Sequence, residues 1–207
     1  PAAFMADPTF RGRFEQEART IATLEHPAIV PVYDFGEDNG QLYLVMRFMA
    51  GGSLSEQIHQ RPFTLSEAIP IIQHIGDALD HAHQQGVIHR DLKPANILFD
   101  RYGNPFLSDF GIVKLAEVTS SFTGSGIIGT PAYMSPEQIH GDVEIDGRAD
   151  IYTLGILFFE MITGIKPYRA DTPVKQMMAH VLNPIPSIRQ YRSELPPELD
   201  PIMNRVM

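Results

Sequence analysis

Cysteine is absent from the chain. Its absence excludes disulfides, cysteine-ligated zinc, iron–sulfur clusters and thiol nucleophiles. Nor is there an apolar run of the ~18–20 residues that a helix needs to cross a bilayer. The best candidate, Ile151 to Ile162, contains Thr153 and Glu160, and its length suits a buried core helix. Positive charge is scarce: 16 Lys and Arg stand against 25 Asp and Glu, a formal charge of −9. Such a chain lacks the clustered cations that nonspecific nucleic-acid binding requires, and it is ill suited to an anionic membrane surface. A polyanion can still be held at a local site through metal ions and backbone amides. No targeting segment is evident, and a first residue of Pro1 rather than Met suggests a piece of a longer protein.

What is present is enough for a core. Hydrophobic residues make up 43% of the 207 positions and charged residues 20%, values of an ordinary folded chain of one large domain or two small ones. Phe10, Phe14, Ala18, Ile21 and Leu24 recur every three or four residues and predict an amphipathic helix over 10–25. His26-Pro27 ends it. Ile29 to Phe35 and Gln41 to Phe48 read as strands around Asn39-Gly40, a pair that tolerates the positive φ of a tight hairpin turn. Ser53-x-x-Glu56 and Thr64-x-x-Glu67 have capping-box spacing. The second opens a helical stripe of Ile69, Ile72, Ile75, Leu79 and Ala82, closed by Gly86.

Short strands are expected at Val87 to His89, Ile97 to Phe99 and Phe106 to Leu107, with a turn at 101–104. Residues 110–147 show no sustained period and read as a loop. Helices are expected over Arg148 to Thr163, Thr172 to Leu182 and Pro197 to Met207.

One segment carries the chemistry: His89-Arg90-Asp91-Leu92-Lys93-Pro94-Ala95-Asn96. Asp109-Phe110-Gly111 begins 13 residues after Asn96, and Gly129-Thr130-Pro131-Ala132-Tyr133-Met134-Ser135-Pro136-Glu137 follows at loop distance. Any one of these carboxylates taken alone is a solvated loop residue, and Asn96 alone is a turn former. Jointly spaced in this way they are specific. They resemble the signature set of the protein kinase superfamily, in particular the bacterial (Hanks-type) serine/threonine kinase catalytic domain, and the resemblance runs from Phe10 to about Met207.

The resemblance implies an α+β, two-lobe kinase-like fold. Residues 1–50 would form a partial small lobe (one helix, a β-hairpin and the hinge), and 51–207 a mostly helical large lobe. It implies ATP-dependent phosphorylation of serine and threonine hydroxyls on protein substrates, with ATP and Mg²⁺ as cofactors. Asp91 would accept the hydroxyl proton, Lys93 would meet the transferred phosphate, and Asn96 and Asp109 would hold Mg²⁺ through oxygen donors suited to a hard cation. Glu17 matches the glutamate that pairs with the nucleotide-binding lysine. Met46 would back the adenine pocket, and Arg47 and Met49 would offer backbone groups to the base.

Arg90, directly before Asp91, marks switching by phosphorylation of the activation segment, with Thr123 and Ser125 as the candidate acceptors. Thr130 would help position the substrate, and Asp150 would brace the His89-Arg90 backbone. Self-association for autophosphorylation fits such a switch. The expected location is cytoplasmic, compatible with a parent protein anchored in a membrane.

Two letter matches are set aside. Gly124-Ser125-Gly126-Ile127-Ile128-Gly129 fits a dinucleotide fingerprint but neither follows a strand nor opens a helix. His74, His81, His83 and His89 do not form a zinc set: His81 and His83 face different sides of a helix, so a solvated or packing role is expected.

The family's Gly-rich loop and its lysine have no match ahead of Glu17, and the first lysine of the chain is Lys93. The chain therefore reads as a kinase domain truncated at both ends, expected to be inactive alone, with Glu137 lacking the family's arginine partner. Two alternatives stay open, a noncatalytic kinase-like scaffold and a small-molecule phosphotransferase. The second lacks the 129–137 segment seen here.

Overall fold

The computed structural model describes residues 8–111, 131–142 and 144–207. Helix α1, Pro8–Ala22, buries Phe14, Ala18 and Ile21 on one face. Strands β1, Val32–Asp38, and β2, Gln41–Met46, form an antiparallel hairpin. Its turn residues Asn39 and Gly40 take φ of 49° and 80°, which is why a side chain that tolerates the left-handed region and then none at all stand there.

The larger part begins with two capped helices. In α2, Leu54–Gln60, the Glu56 carboxylate accepts from the Ser53 amide at 2.7 Å. In α3, Leu65–Gln84, the Glu67 carboxylate accepts from the Thr64 amide at 2.8 Å. The end of α3 sets the path into the chemistry. Gly86, at φ 75°, sends its amide to the His83 carbonyl, and Val87 sends its own to Ala82. This paired closure reverses the chain at a residue free of a Cβ penalty. Residues 87–93 then run without regular structure, where a strand was expected at Val87 to His89. Their backbone polar groups are met by side chains and loop carbonyls rather than by a neighbouring strand.

A 3₁₀ turn at Pro94–Asn96 leads into β3, Ile97–Phe99, which pairs antiparallel with β4, Pro105–Leu107. The two parts of the molecule are stitched by backbone. The Val30 amide donates to the Leu107 carbonyl at 2.9 Å, and the Leu107 amide donates to Ala28 at 2.8 Å. Gly51 and Gly52 make a similar pair with Phe99. A Cβ on Gly51 would lie 2.3 Å from the Asp100 carbonyl oxygen, so only glycine allows that approach.

The stretch 110–147 is not all loop. A 3₁₀ turn occupies Pro131–Tyr133, and α4 covers Pro136–His140, capped by Ser135 and Gln138 and ended by Gly141 at φ 73°. Ser-x-x-Gln is a capping-box pattern, the signal that could have revealed this helix. Helix α5, Arg148–Thr163, is the axis of the larger part; Ile156, Leu157, Phe159, Met161 and Ile162 are wholly enclosed. Around it lie α6, Pro173–Leu182, and α7, Leu199–Val206, which starts two residues later than its sequence pattern suggests. Among the described residues, no helix is long and apolar enough to cross a membrane.

Candidate active site

The site grows out of His89. Its ring is fully buried, which lowers its pKa and keeps it neutral. Nε2 lies 2.9 Å from the Ser108 carbonyl, an acceptor, so Nε2 carries the proton and Nδ1 is left as a lone pair. That lone pair accepts the Asp91 amide at 3.2 Å. One ring thus joins the segment bearing Asp91 to the residue beside Asp109. The Phe110 ring packs on it at 4.7 Å between centroids. Gly111 also donates to the His89 carbonyl at 3.0 Å, and a Cβ there would sit 3.0 Å from that oxygen.

Asp150 holds the backbone from below. It is 1% exposed and accepts from the His89 amide at 2.8 Å and the Arg90 amide at 2.9 Å. A third partner, His83 Nε2, lies 2.8 Å from Oδ2. That hydrogen bond to Asp150 raises the His83 pKa. Gly147 makes room for the ring, since a Cβ there would be 2.5 Å from His83 Nδ1. His83 is thus a hydrogen-bond partner of Asp150, and its part in the site was missed in the sequence. The signal was present: His83 closes α3 six residues before His89, and a buried carboxylate attracts a donor.

Under this bracing Arg90 and Asp109 take φ of 61° and 55°, a left-handed geometry costing a non-glycine residue roughly 1–2 kcal/mol. Such strain is held by surrounding structure and is concentrated at functional sites. It brings the side chains of the two segments into one hydrogen-bonded group. Lys93 Nζ bonds Asp91 Oδ2 at 2.7 Å. Asn96 Nδ2 donates to the Asp91 carbonyl at 2.9 Å and lies 3.4 Å from Oδ2. Ser108 Oγ reaches the Asn96 carbonyl at 3.0 Å and Asp109 Oδ2 at 3.4 Å. Asp91, Lys93, Asn96 and Asp109 therefore form one connected group.

Asp109 also borders about 270 Å³ of open space with Ile21, Val30, Leu44, Met46 and Phe110. Glu17 is half-buried one helical turn before Ile21. Arg47 sends its amide to Pro31 at 3.0 Å, so of its backbone groups the carbonyl is the one left for a ligand. Its guanidinium lies over the Phe106 ring at 5.2 Å, turned to the core rather than to a hinge ligand. Met49 is buried with Val30 and Phe106. On the other side of Asp91, Arg90, Leu92, Lys93, Tyr133, Met134 and Gln138 line about 190 Å³. Arg90 Nε is buried there without a hydrogen-bond partner among the described residues, and the Arg90 carbonyl accepts from Gln138 Nε2 at 2.9 Å. Thr123, Ser125 and Thr130 lie outside the described residues. Glu137 stands in the first turn of α4.

A family model, "Protein kinase domain", matches residues 6–205. The chain belongs to the protein kinase family. It is 41% identical over 208 residues to serine/threonine-protein kinase PknH of Mycobacterium tuberculosis, covering 100% of this chain and 33% of that protein. It is 42% identical over 200 residues to PknD of the same organism, covering 96% and 30%. The crystal structure of the Mycobacterium tuberculosis PknI kinase domain superposes with a TM-score of 0.77 at 30% identity, covering 100% of this chain and 74% of that one. The chain is thus a bacterial, Hanks-type kinase sequence with a kinase fold, and it spans about a third of the length of the curated relatives it matches.

Proposed function

We propose that this chain is the catalytic core of a serine/threonine protein kinase, with a small lobe over 1–50 and a large lobe over 51–207. One observation supports the reading best: Asp91, Lys93, Asn96 and Asp109 belong to one hydrogen-bonded group, joined through Ser108 and His89.

The hydroxyl oxygen of a substrate serine or threonine forms a bond to the terminal phosphorus of ATP as the bond to the bridging oxygen breaks. ADP leaves, and the hydroxyl proton passes to the Asp91 carboxylate. Lys93, held beside Asp91, offsets charge on the moving phosphoryl group. Asn96 uses its amide NH₂ on Asp91, which leaves its side-chain oxygen for a cation, and Asp109 supplies a carboxylate. Two oxygen ligands plus phosphate oxygens fit Mg²⁺, which usually keeps few protein ligands. When bound there, Mg²⁺ would neutralise phosphate charge.

Met46 and the backbone of Arg47 and Met49 would border the base, Glu17 the phosphate side. Arg90 Nε, buried and without a partner among the described residues, suits a phosphate on Thr123 or Ser125, and Thr130 would help to position the acceptor hydroxyl. Residues 1–207 hold no lysine ahead of Glu17 to position phosphates, so by themselves they transfer phosphate slowly, because positioning is most of this catalysis. The parent kinase would act in the cytoplasm and phosphorylate its own copies.

The test uses the intact natural protein with labelled ATP, Mg²⁺ and a Ser/Thr protein substrate. Asp91→Asn should lower transfer by ~10²–10⁴-fold, the usual worth of a general base, and Asp109→Ala should remove Mg-dependent ATP binding. If neither wild type nor Asp109→Ala binds Mg-ATP, the chain is a scaffold and the reading fails.

A further inference from the structure

The turn between α1 and β1 is closed by an imidazole. The His26 carbonyl accepts the Ile29 amide at 3.1 Å, and His26 Nδ1 accepts the Ala28 amide at 3.2 Å. Pro27 takes the second place of the turn, which suits its fixed φ. A ring nitrogen that accepts carries no proton, so the ring is neutral with its hydrogen on Nε2. The His26 ring stacks on the His81 ring of α3, with centroids 5.3 Å apart and planes 28° from parallel. Ala28 and Ile29, just beyond, are buried in one apolar cluster with Ile75 and Leu79 of α3 and Leu107 of β4. Two apolar side chains would join the turn to α3 equally well at any pH. Two imidazoles do so without repulsion only while at least one is neutral.

Few charged or titratable groups surround the His26 ring. Helix α3 brings His81, His74 and Asp77. Strand β4, Pro105–Leu107, brings none, and Glu25, the preceding residue, is exposed. Partial burial, followed by the His81 ring, pushes the His26 pKa below the ordinary 6.5, and Asp77 does not reverse it. The unfolded chain therefore binds the proton first. Stability from the neutral ring is complete above about pH 6.5 and is lost as pH falls through the folded value. Protonation sets a hydrogen on Nδ1 against the Ala28 amide and, once His81 is also charged, places two cations face to face.

The disturbance reaches β4 through backbone. The Ala28 carbonyl accepts the Leu107 amide at 2.8 Å, and the Val30 amide donates to the Leu107 carbonyl at 2.9 Å. Leu107 stands two residues before Asp109. We propose that the His26–His81 stack is a proton-sensitive contact that holds residues 26–30, and with them the end of β4, on α3 at neutral pH and loosens them on acidification. Its effect on nucleotide rests on the kinase reading, through Asp109; the contact itself rests on the geometry above.

The experiment compares wild type, His26→Asn and His81→Phe in the intact natural protein at pH 7.5 and 5.5. The Asn side-chain oxygen can accept the Ala28 amide but does not titrate, and Phe keeps a stacked ring without its charge. After allowance for the intrinsic rate, amide hydrogen exchange over 28–30 and 106–109 should quicken about fivefold in wild type at the lower pH, the size of one net hydrogen bond. His26→Asn should show little of this change, and His81→Phe less than wild type. ATP and His83 titrate in the same range, so nucleotide is read as a ratio: the Kd of wild type for Mg-ATP over that of His26→Asn should rise by up to about fivefold on acidification. Equal responses of exchange to pH in all three proteins overturn the proposal. A His26 imidazole that titrates at or above 6.5 by NMR overturns it as well, whether or not His26→Asn folds. If wild type does not bind Mg-ATP at all, the kinase reading fails, while exchange and the NMR titration still decide on the contact.

Discussion

Asp150 shows how much one side chain can carry. It ends two backbone amides and one imidazole inside the protein, so Asp150→Ala strands donors that water cannot reach. A loss of about 2–5 kcal/mol is expected from unmet buried donors, read as a fall in denaturant midpoint, with catalysis lost even where the protein stays folded. His83 adds a pH dependence of definite sign. Its pKa lies above the ordinary 6.5 because of the hydrogen bond to Asp150. Its contribution is therefore complete at pH values below about 6.5 and is lost as pH climbs through the folded value. The stability difference between wild type and His83→Gln, roughly 1.5 kcal/mol for a charge-assisted bond, should shrink between pH 6 and pH 9 in urea titrations. A constant difference would show that the imidazole donates equally well when neutral. Asp91, Asn96 and Asp109 were readable as letters at fixed spacing. The residues that hold them, His83, Ser108 and Gln138, were not, because each acts through a contact with a residue remote in sequence.

At the scale of elements, local chemistry was the reliable guide. The Asn39-Gly40 turn, the caps at Ser53 and Thr64 and the reversal at Gly86 each need only neighbours within a few residues, and each occurs where its pattern stands. Val87 to His89 misled because a β-rich composition does not supply a pairing partner. Helix α5 was plain from its apolar length, although being buried on nearly all sides it shows little periodicity. Ile156 at its centre is fully enclosed, and Ile156→Ala should cost about 2–5 kcal/mol through the cavity left behind, measured by chemical denaturation. Gly51→Ala should be worse than its single methyl suggests. The new carbon would strike the backbone of Asp100, and backbone cannot swing aside, so the segment between Met49 and Leu54 must move. Weaker nucleotide binding together with a lowered Tm is the expected outcome; unchanged binding would place the adenine elsewhere.

For the whole molecule the decisive quantity is charge. A net −9 and the carboxylates of Asp91 and Asp109, linked through Asn96 and Ser108, oppose a triphosphate, so ATP with EDTA should leave Tm nearly unchanged. ATP with Mg²⁺ in the intact protein should stabilise it by about 2.7 kcal/mol at a hundredfold excess over Kd. Equal shifts with and without the cation would contradict the roles given to Asn96 and Asp109. The kinase family was legible in the sequence because its catalytic letters cluster within short reach of one another. The buried contact of His180 with Tyr152 and Tyr168 was not, since these residues meet only once the chain has folded.

The two amide links between Ala28, Val30 and Leu107 have a mechanical result. Leu107 lies two residues from Asp109, so the segment leading into the hairpin grips the strand that runs up to the proposed cation ligand. Any movement of that side would drag Asp109 with it, like a handle fastened to a latch. On the kinase reading proposed above, releasing spent nucleotide and loosening the hold on the cation would be a single stroke.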